Sequence, residues 1–142
     1  MGRVINPDSA GQQRSYHMRT AAELFRRLSQ KEMLDSEARD MLATLVFSFR
    51  GIEDGIEQSA AAWEKRDYYL KADELRRRWD WSARAASDLE AVLLQERWND
   101  VPAVMASLFP HLSEVTVTKF MRKEKDWAGN YGRLLAEQSI RR

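Results

Sequence analysis

The 142-residue chain has no cysteine, which excludes disulfides and thiolate chemistry. Helix breakers are scarce as well. From Pro7 the next proline is Pro102, and between Gly11 and Pro102 the only glycines are Gly51 and Gly55. That stretch is rich in Ala, Leu, Glu and Arg and poor in β-branched residues, so it argues against strands and predicts long helices. There is no long uncharged apolar run and the mean hydropathy is −0.61, so no membrane-spanning segment is expected. The first residues lack the apolar core of a secretory signal, and position 6 is Asn where a myristoylation signal carries Ser or Thr. A cytoplasmic location, no contact with membranes and a single domain are the expectation.

Catalytic and metal-binding patterns are missing too. The two histidines, His17 and His111, have no carboxylate three or four residues before them, so the Glu-x-x-His element of di-iron bundles does not occur. His-x-x-x-His, a Walker motif, a Gly-x-Gly-x-x-Gly loop and a Gly-x-Ser-x-Gly elbow are all absent. Glu53, Asp54 and Glu57 flank an apolar seam and read as surface residues rather than as ligands. The expectation is a protein that is not an enzyme, with no metal and no cofactor.

What is present is helical periodicity. Ala38, Leu42, Leu45, Phe49, Ile52, Ile56, Ser59 and Trp63 recur at alternating steps of four and three. They form one stripe on a helix of about 30 residues, roughly 45 Å long. Tyr68, Ala72, Leu75, Trp79, Ser82, Ala86, Leu89 and Leu93 repeat the pattern. Such seams pack at a shallow angle, as in antiparallel bundles. A first helix runs from a cap at Asp8 or Ser9 to about Lys31, carrying Met18, Ala21, Phe25 and Leu28 inward. Asp35 and Asp67 are expected to cap the next two helices. Asp100-Val101-Pro102 opens a short helix ended by Pro110, and a last helix starts at Ser113 or Thr116 and passes through Trp127 to Leu135. The fold class is therefore all-α. It is an up-down helical bundle of four main helices plus one short helix, with residues 1–8 as an extended N-terminal arm and residues 9–142 as one domain.

A formal net charge of +1 conceals segregation. Residues 1–31 carry six basic and two acidic side chains, whereas residues 32–63 carry two basic and seven acidic ones. Residues 119–142 carry seven basic and three acidic ones. In an up-down bundle the first and last helices are neighbours, so Arg14, Arg19, Arg26, Lys119, Arg122, Lys123 and Lys125 are candidates for one basic face that meets nucleic acid. The alternative is that basic and acidic helices simply alternate and set the packing order. The Arg76-Arg77-Arg78 run is expected to be neutralised by Asp73 and Glu74 one turn back. Residues 101–125 also have the proportions of a helix-turn-helix, with Pro110-His111 in the turn and Lys119, Arg122, Lys123 and Lys125 on the second helix.

Five tryptophans are many for this length. Trp63, Trp79 and Trp127 fall on apolar stripes. Trp81 lies about 200° around the helix from Trp79, and Tyr69 and Trp98 also fall off the seam. Exposed aromatics near arginine are common materials of protein interfaces, so these three residues are candidate partner contacts unless a further helix covers them. Gly51 and Gly55, one turn apart, make a smooth strip for a close helix approach. Internal packing, a dimer contact or a hinge would each use it. The functional expectation is a non-catalytic helical adaptor or small subunit that binds a protein partner or a second copy of itself. The alternative is nucleic-acid binding through the basic end helices or the helix-turn-helix.

Overall fold

The computed structural model describes residues 7–141. Helix α1 spans Pro7–Ser29, α2 Ser36–Lys65, α3 Tyr69–Leu94, α4 Val101–Leu112, α5 Glu124–Trp127 and α6 Asn130–Arg141. A 3-10 turn at Trp98–Asp100 precedes α4. No strand occurs among the described residues, and none of their helices is long and apolar enough to cross a membrane. The chain is all-α, and its long helices run up and down.

The central element is α2. Its N-cap is the expected one: the Asp35 carboxylate accepts the Ala38 N–H at 2.8 Å. Along α2 the buried positions include Ala38, Leu42, Leu45, Phe49, Ile52, Ile56 and Ser59 of the expected stripe, but its last member, Trp63, is half-buried, and Tyr68, first of the α3 stripe, is exposed at the N-cap of that helix. Burial spreads further, to Met41, Val46 and Ala60, because α1, α3 and α6 all pack on this helix. Leu24 of α1 and Leu89 and Leu93 of α3 join the same core, each fully enclosed. Each such side chain contributes about 1.5–3 kcal/mol through removal of apolar area from water. Leu75 and Trp79 were expected in this core and are only half-buried. The covering helix α4 ends at Leu112, level with Trp81, so the α3 turns before that point lie beyond it.

Several boundaries differ from expectation for identifiable reasons. The first helix opens at Pro7, so positions 7 and 8 are helical rather than part of an arm. Proline's fixed φ suits the first helical position. The rest of the expected arm lies outside the described residues. Asp67 does not cap α3. It takes a left-handed turn conformation, φ +63°, which a short polar side chain tolerates. Asp100 makes no capping bond either; its carboxylate pairs with Arg97 at 2.9 Å. Pro110 sits inside the last turn of α4, where few backbone bonds depend on its missing N–H.

The largest difference is the last helix. Residues 113–123 are not helical, and regular structure resumes only with the single turn of α5 and then α6. The segment contains Val115, Thr116, Val117 and Thr118, whose β-branched side chains disfavour helix. The expected helix-turn-helix therefore has no second helix, and Lys119, Arg122 and Lys123 lie on an extended strap.

The glycine pair serves internal packing. The Nε2 atom of His17 on α1 lies 2.5 Å from where a Gly51 Cβ would stand, and two other imidazole atoms lie within 2.8 Å. The ring fills the notch. At Gly55 the nearest atom to a Cβ would be the Ala10 carbonyl oxygen, at 3.8 Å, an ordinary contact. The two glycines thus differ in kind, and both have α1 atoms as their nearest neighbours. Gly55→Ala should stabilise the fold by up to about 1 kcal/mol through helix propensity. Gly51→Ala should instead push the His17 imidazole out of the notch by overpacking and so lose part or all of that gain. A Gly51→Ala, His17→Ala double variant should recover most of the overpacking component. Urea denaturation of the four proteins measures all three effects.

Burial of His17 depresses its pKa, and the nearby Asp54 only partly opposes this. The neutral ring is thus favoured in the folded state, so the unfolded chain binds the proton more tightly. The contribution to stability is complete above the ordinary histidine value of 6.5 and is lost as pH falls below it toward the folded pKa. Between pH 7.5 and 5.5 the urea midpoint of the native protein should fall, and His17→Asn should remove most of that slope.

Candidate functional site

The strap of residues 113–123 crosses α1 and is fixed there by a buried carboxylate. Glu23 is 1% exposed and lies among Ala21, Ala22 and Leu24. Its two oxygens accept the backbone N–H groups of Met121 and of Arg122, the latter at 2.7 Å. The Arg27 guanidinium, 3.2 Å away, and that of Arg122, 3.7 Å away, balance its charge. Arginines complete the attachment. Arg26 donates to the Val115 carbonyl at 2.7 Å and Arg27 to the Arg122 carbonyl at 2.8 Å. Arg122 donates to the Thr20 hydroxyl at 2.9 Å and to the Tyr16 carbonyl at 3.3 Å. These bonds give the strap the backbone partners that a helix would otherwise supply.

The attachment brings the two basic ends of the chain together, by a strap on a helix rather than by paired helices. Arg26 and Arg122, expected as free ligand contacts, hold the strap instead. Arg14 is separate: it is half-buried, with its guanidinium carbon 5.3 Å from the Trp79 ring centre. Its Nη1 is buried without a hydrogen-bond partner. Burial and the neighbouring Arg78 charge hold its pKa below the usual arginine value. Arg19, Lys119, Lys123 and Lys125 are exposed, and the side-chain cation of none of the four makes an ion pair among the described residues, although the Lys123 backbone N–H donates to the Asp126 carboxylate at 2.7 Å. Tyr16, Arg19, Met121, Arg122 and Asp126 line a groove of about 320 Å³ on this face.

Elsewhere many of the arginines are paired, whereas Lys65, Arg66 and Lys71 around the α2–α3 turn are exposed and make no ion pair among the described residues; Arg66 and Lys71 lie over the Trp63 and Tyr68 rings. Arg76 reaches across to α2 and bridges Glu57 and Glu64. Arg77 and Arg78 pair with Asp73 and Glu74 one turn back, as expected. Arg84 pairs with Asp80. Arg50 ties α2 to Glu90 of α3 and Glu137 of α6, at 2.7 and 2.8 Å.

A second surface feature is apolar. Leu28, Met33, Leu34, Trp98, Pro102 and Met105 form the larger apolar part of the lining of a groove of about 350 Å³, between the α1–α2 connector and the start of α4. Met33 is 74% exposed at its rim. The Trp98 ring is half-buried, edge-on to Tyr131 at 5.8 Å, with the Arg39 guanidinium carbon 4.5 Å from its centre.

The aromatic candidates thus separate. Trp98 lines this groove. Tyr69 is exposed at the α2–α3 turn, its hydroxyl 3.4 Å from Asp67. Trp81 does not point outward: α4 covers it, with His111 stacked on it at 4.1 Å and Phe49 edge-on at 5.7 Å. Two residues that organise the site carried no periodic signal. Glu23 occupies a position buried only because the strap covers α1. Asp40 of α2 accepts the Gly129 and Tyr131 N–H groups at 3.1 and 3.0 Å, capping α6 from a distance of some 90 residues in sequence. Among the described residues no three His, Asp or Glu side chains are grouped to hold a metal ion.

No known protein family, curated protein or solved structure matches the chain.

Glu23→Ala should strand the Met121 and Arg122 N–H groups and leave Arg27 and Arg122 without their counter-charge. The expected cost is about 2–4 kcal/mol. Hydrogen exchange at the Met121 and Arg122 amides should accelerate while the α2 core amides around Phe49 keep their rank order of protection.

Proposed function

We propose that the protein is a non-catalytic helical adaptor that docks an apolar segment of a partner protein in the groove between the α1–α2 connector and α4. The observation that carries this reading is the groove lining. Two methionines with flexible, polarisable side chains flank a tryptophan whose ring is held by Tyr131 and Arg39. A rigid aromatic wall with adaptable thioethers at its rim suits large apolar side chains presented on one face of a helix. Trp98 is the anchor, and Lys31 and Glu32 at the edge give the rim polar character.

The test uses the full chain, tagged, with nuclease-treated extract of its host, followed by reconstitution with the purified protein recovered. Met33→Glu changes an exposed rim residue and leaves the core untouched. It should weaken the reconstituted complex at least tenfold, with unchanged thermal unfolding. Equal affinity of native protein and variant, or no nuclease-resistant protein recovered, would overturn the reading.

A further inference from the structure

The α1–strap face has a composition that the apolar groove does not explain. It carries four cations whose side chains make no ion pair, Arg19, Lys119, Lys123 and Lys125, with the Asp126 carboxylate at the groove taken up by the Lys123 backbone N–H; Arg77, Arg78, Arg84 and Arg97 by contrast are paired with carboxylates three or four residues away in sequence. Beside them three large side chains remain open to solvent: Tyr16 at 51%, Phe120 at 37% and Met121 at 59% exposed. The two rings are not loose. The Arg122 guanidinium carbon lies 4.8 Å from the Tyr16 ring centre, and that of Arg27 lies 4.5 Å from the Phe120 ring centre. Both guanidiniums are tied in turn to backbone carbonyls and to Glu23. Each ring is therefore backed on one side by a tethered cation, with about half of Tyr16 and over a third of Phe120 left open.

We propose that this face binds single-stranded nucleic acid, with bases stacked on Tyr16 and Phe120 and phosphates held by Arg19, Lys119, Lys123 and Lys125. The proposal is independent of the protein-docking groove, which shares none of these residues. Three features favour single strands. A duplex hides its base faces and is read in its major groove by an inserted helix or ribbon, whereas this face offers one ring from α1 and one from the strap with cations scattered around them. Ring faces serve every base, because each base has a π face. The guanidiniums behind the rings also add positive potential without competing for the stacking side. An acidic peptide or a sulfated polysaccharide would use the cations and leave the rings idle, which separates them experimentally.

The test is a fluorescence anisotropy titration of the full chain with a labelled oligothymidylate and a labelled oligouridylate. Duplex DNA of the same length and polyphosphate serve as competitors. Binding at low salt should weaken steeply as salt rises, with a log–log slope of about −0.7 per phosphate neutralised. The duplex should compete worse than the single strands. Tyr16→Leu and Phe120→Leu preserve apolar packing and remove stacking; together they should weaken oligonucleotide binding at least tenfold while polyphosphate binding changes less than twofold. Lys119→Glu with Lys123→Glu should weaken both ligands, and Lys71→Glu on the α2–α3 turn should change neither. Circular dichroism melts confirm that each variant is folded. No binding to either oligonucleotide at low salt overturns the proposal. So does binding that the two leucine substitutions leave unchanged, since the face would then be a plain polyanion contact. Neither result bears on Met33 and the apolar groove.

Discussion

The architecture depends on how closely α1 can approach α2. At Gly51 the His17 imidazole occupies the space in which any larger residue would place its Cβ. The notch houses that ring while α1 packs with Leu24, Ala21 and Ala22 fully enclosed, in a core where packing is dense and a displacement of an ångström is felt. Because α1 sits close, its opposite side becomes a platform for the strap. A glycine in mid-helix costs about 1 kcal/mol in propensity relative to alanine. Burial along a 23-residue partner helix more than offsets it.

The C-terminal third of the bundle is organised differently from the first two-thirds. Helices α1 to α3 are held by apolar seams, whereas the strap and the start of α6 hang on two carboxylates, Glu23 and Asp40. Each receives two backbone N–H groups from the later segment. Hydrogen bonds to a charged acceptor contribute more than neutral ones, and their geometry fixes position. A buried charge is tolerable here because Arg27 and Arg122 accompany it and every acceptor is used. The β-branched run Val115–Thr118 weakens the helical alternative, and the carboxylates supply the extended one.

The sequence makes the long helices legible because their burial is periodic. In α2 the stripe from Ala38 to Ser59 and the Asp35 cap are both read correctly, since one feature is a 3.6-residue rhythm and the other a local bond. In α3 the rhythm holds, but Leu75 and Trp79 are less enclosed than the stripe implies. Periodicity reports which side faces a neighbour and not how far that neighbour extends. Trp81 fails for the opposite reason: it lies off the seam, and α4 covers it anyway. Glu23 and Asp40 are illegible because their meaning lies some 90 to 100 residues away. The basic face was half legible. Charge counting finds the two ends, and only the coordinates show that Arg26 and Arg122 bind the strap while Arg19, Lys119, Lys123 and Lys125 stay unpaired.

Pairing of charges is the more discriminating property. Arginine outnumbers lysine across the chain, yet three of the four unpaired cations on the α1–strap face are lysines. The division follows from the side chains. Arginine's planar fork satisfies two acceptors in a fixed geometry, and here it bridges carboxylates between helices and carbonyls of the strap. Lysine, a compact and strongly hydrated charge, stays in water unless a ligand recruits it. Arg26, Arg27, Arg50, Arg76 and Arg122 thus connect elements of the scaffold, while three unpaired lysines stay on the α1–strap face beside two rings backed by Arg27 and Arg122. A face built this way has its rings backed by tethered guanidiniums and its lysine charges out in solvent. Those properties suit a ligand with flat units at regular intervals and a flexible charged backbone.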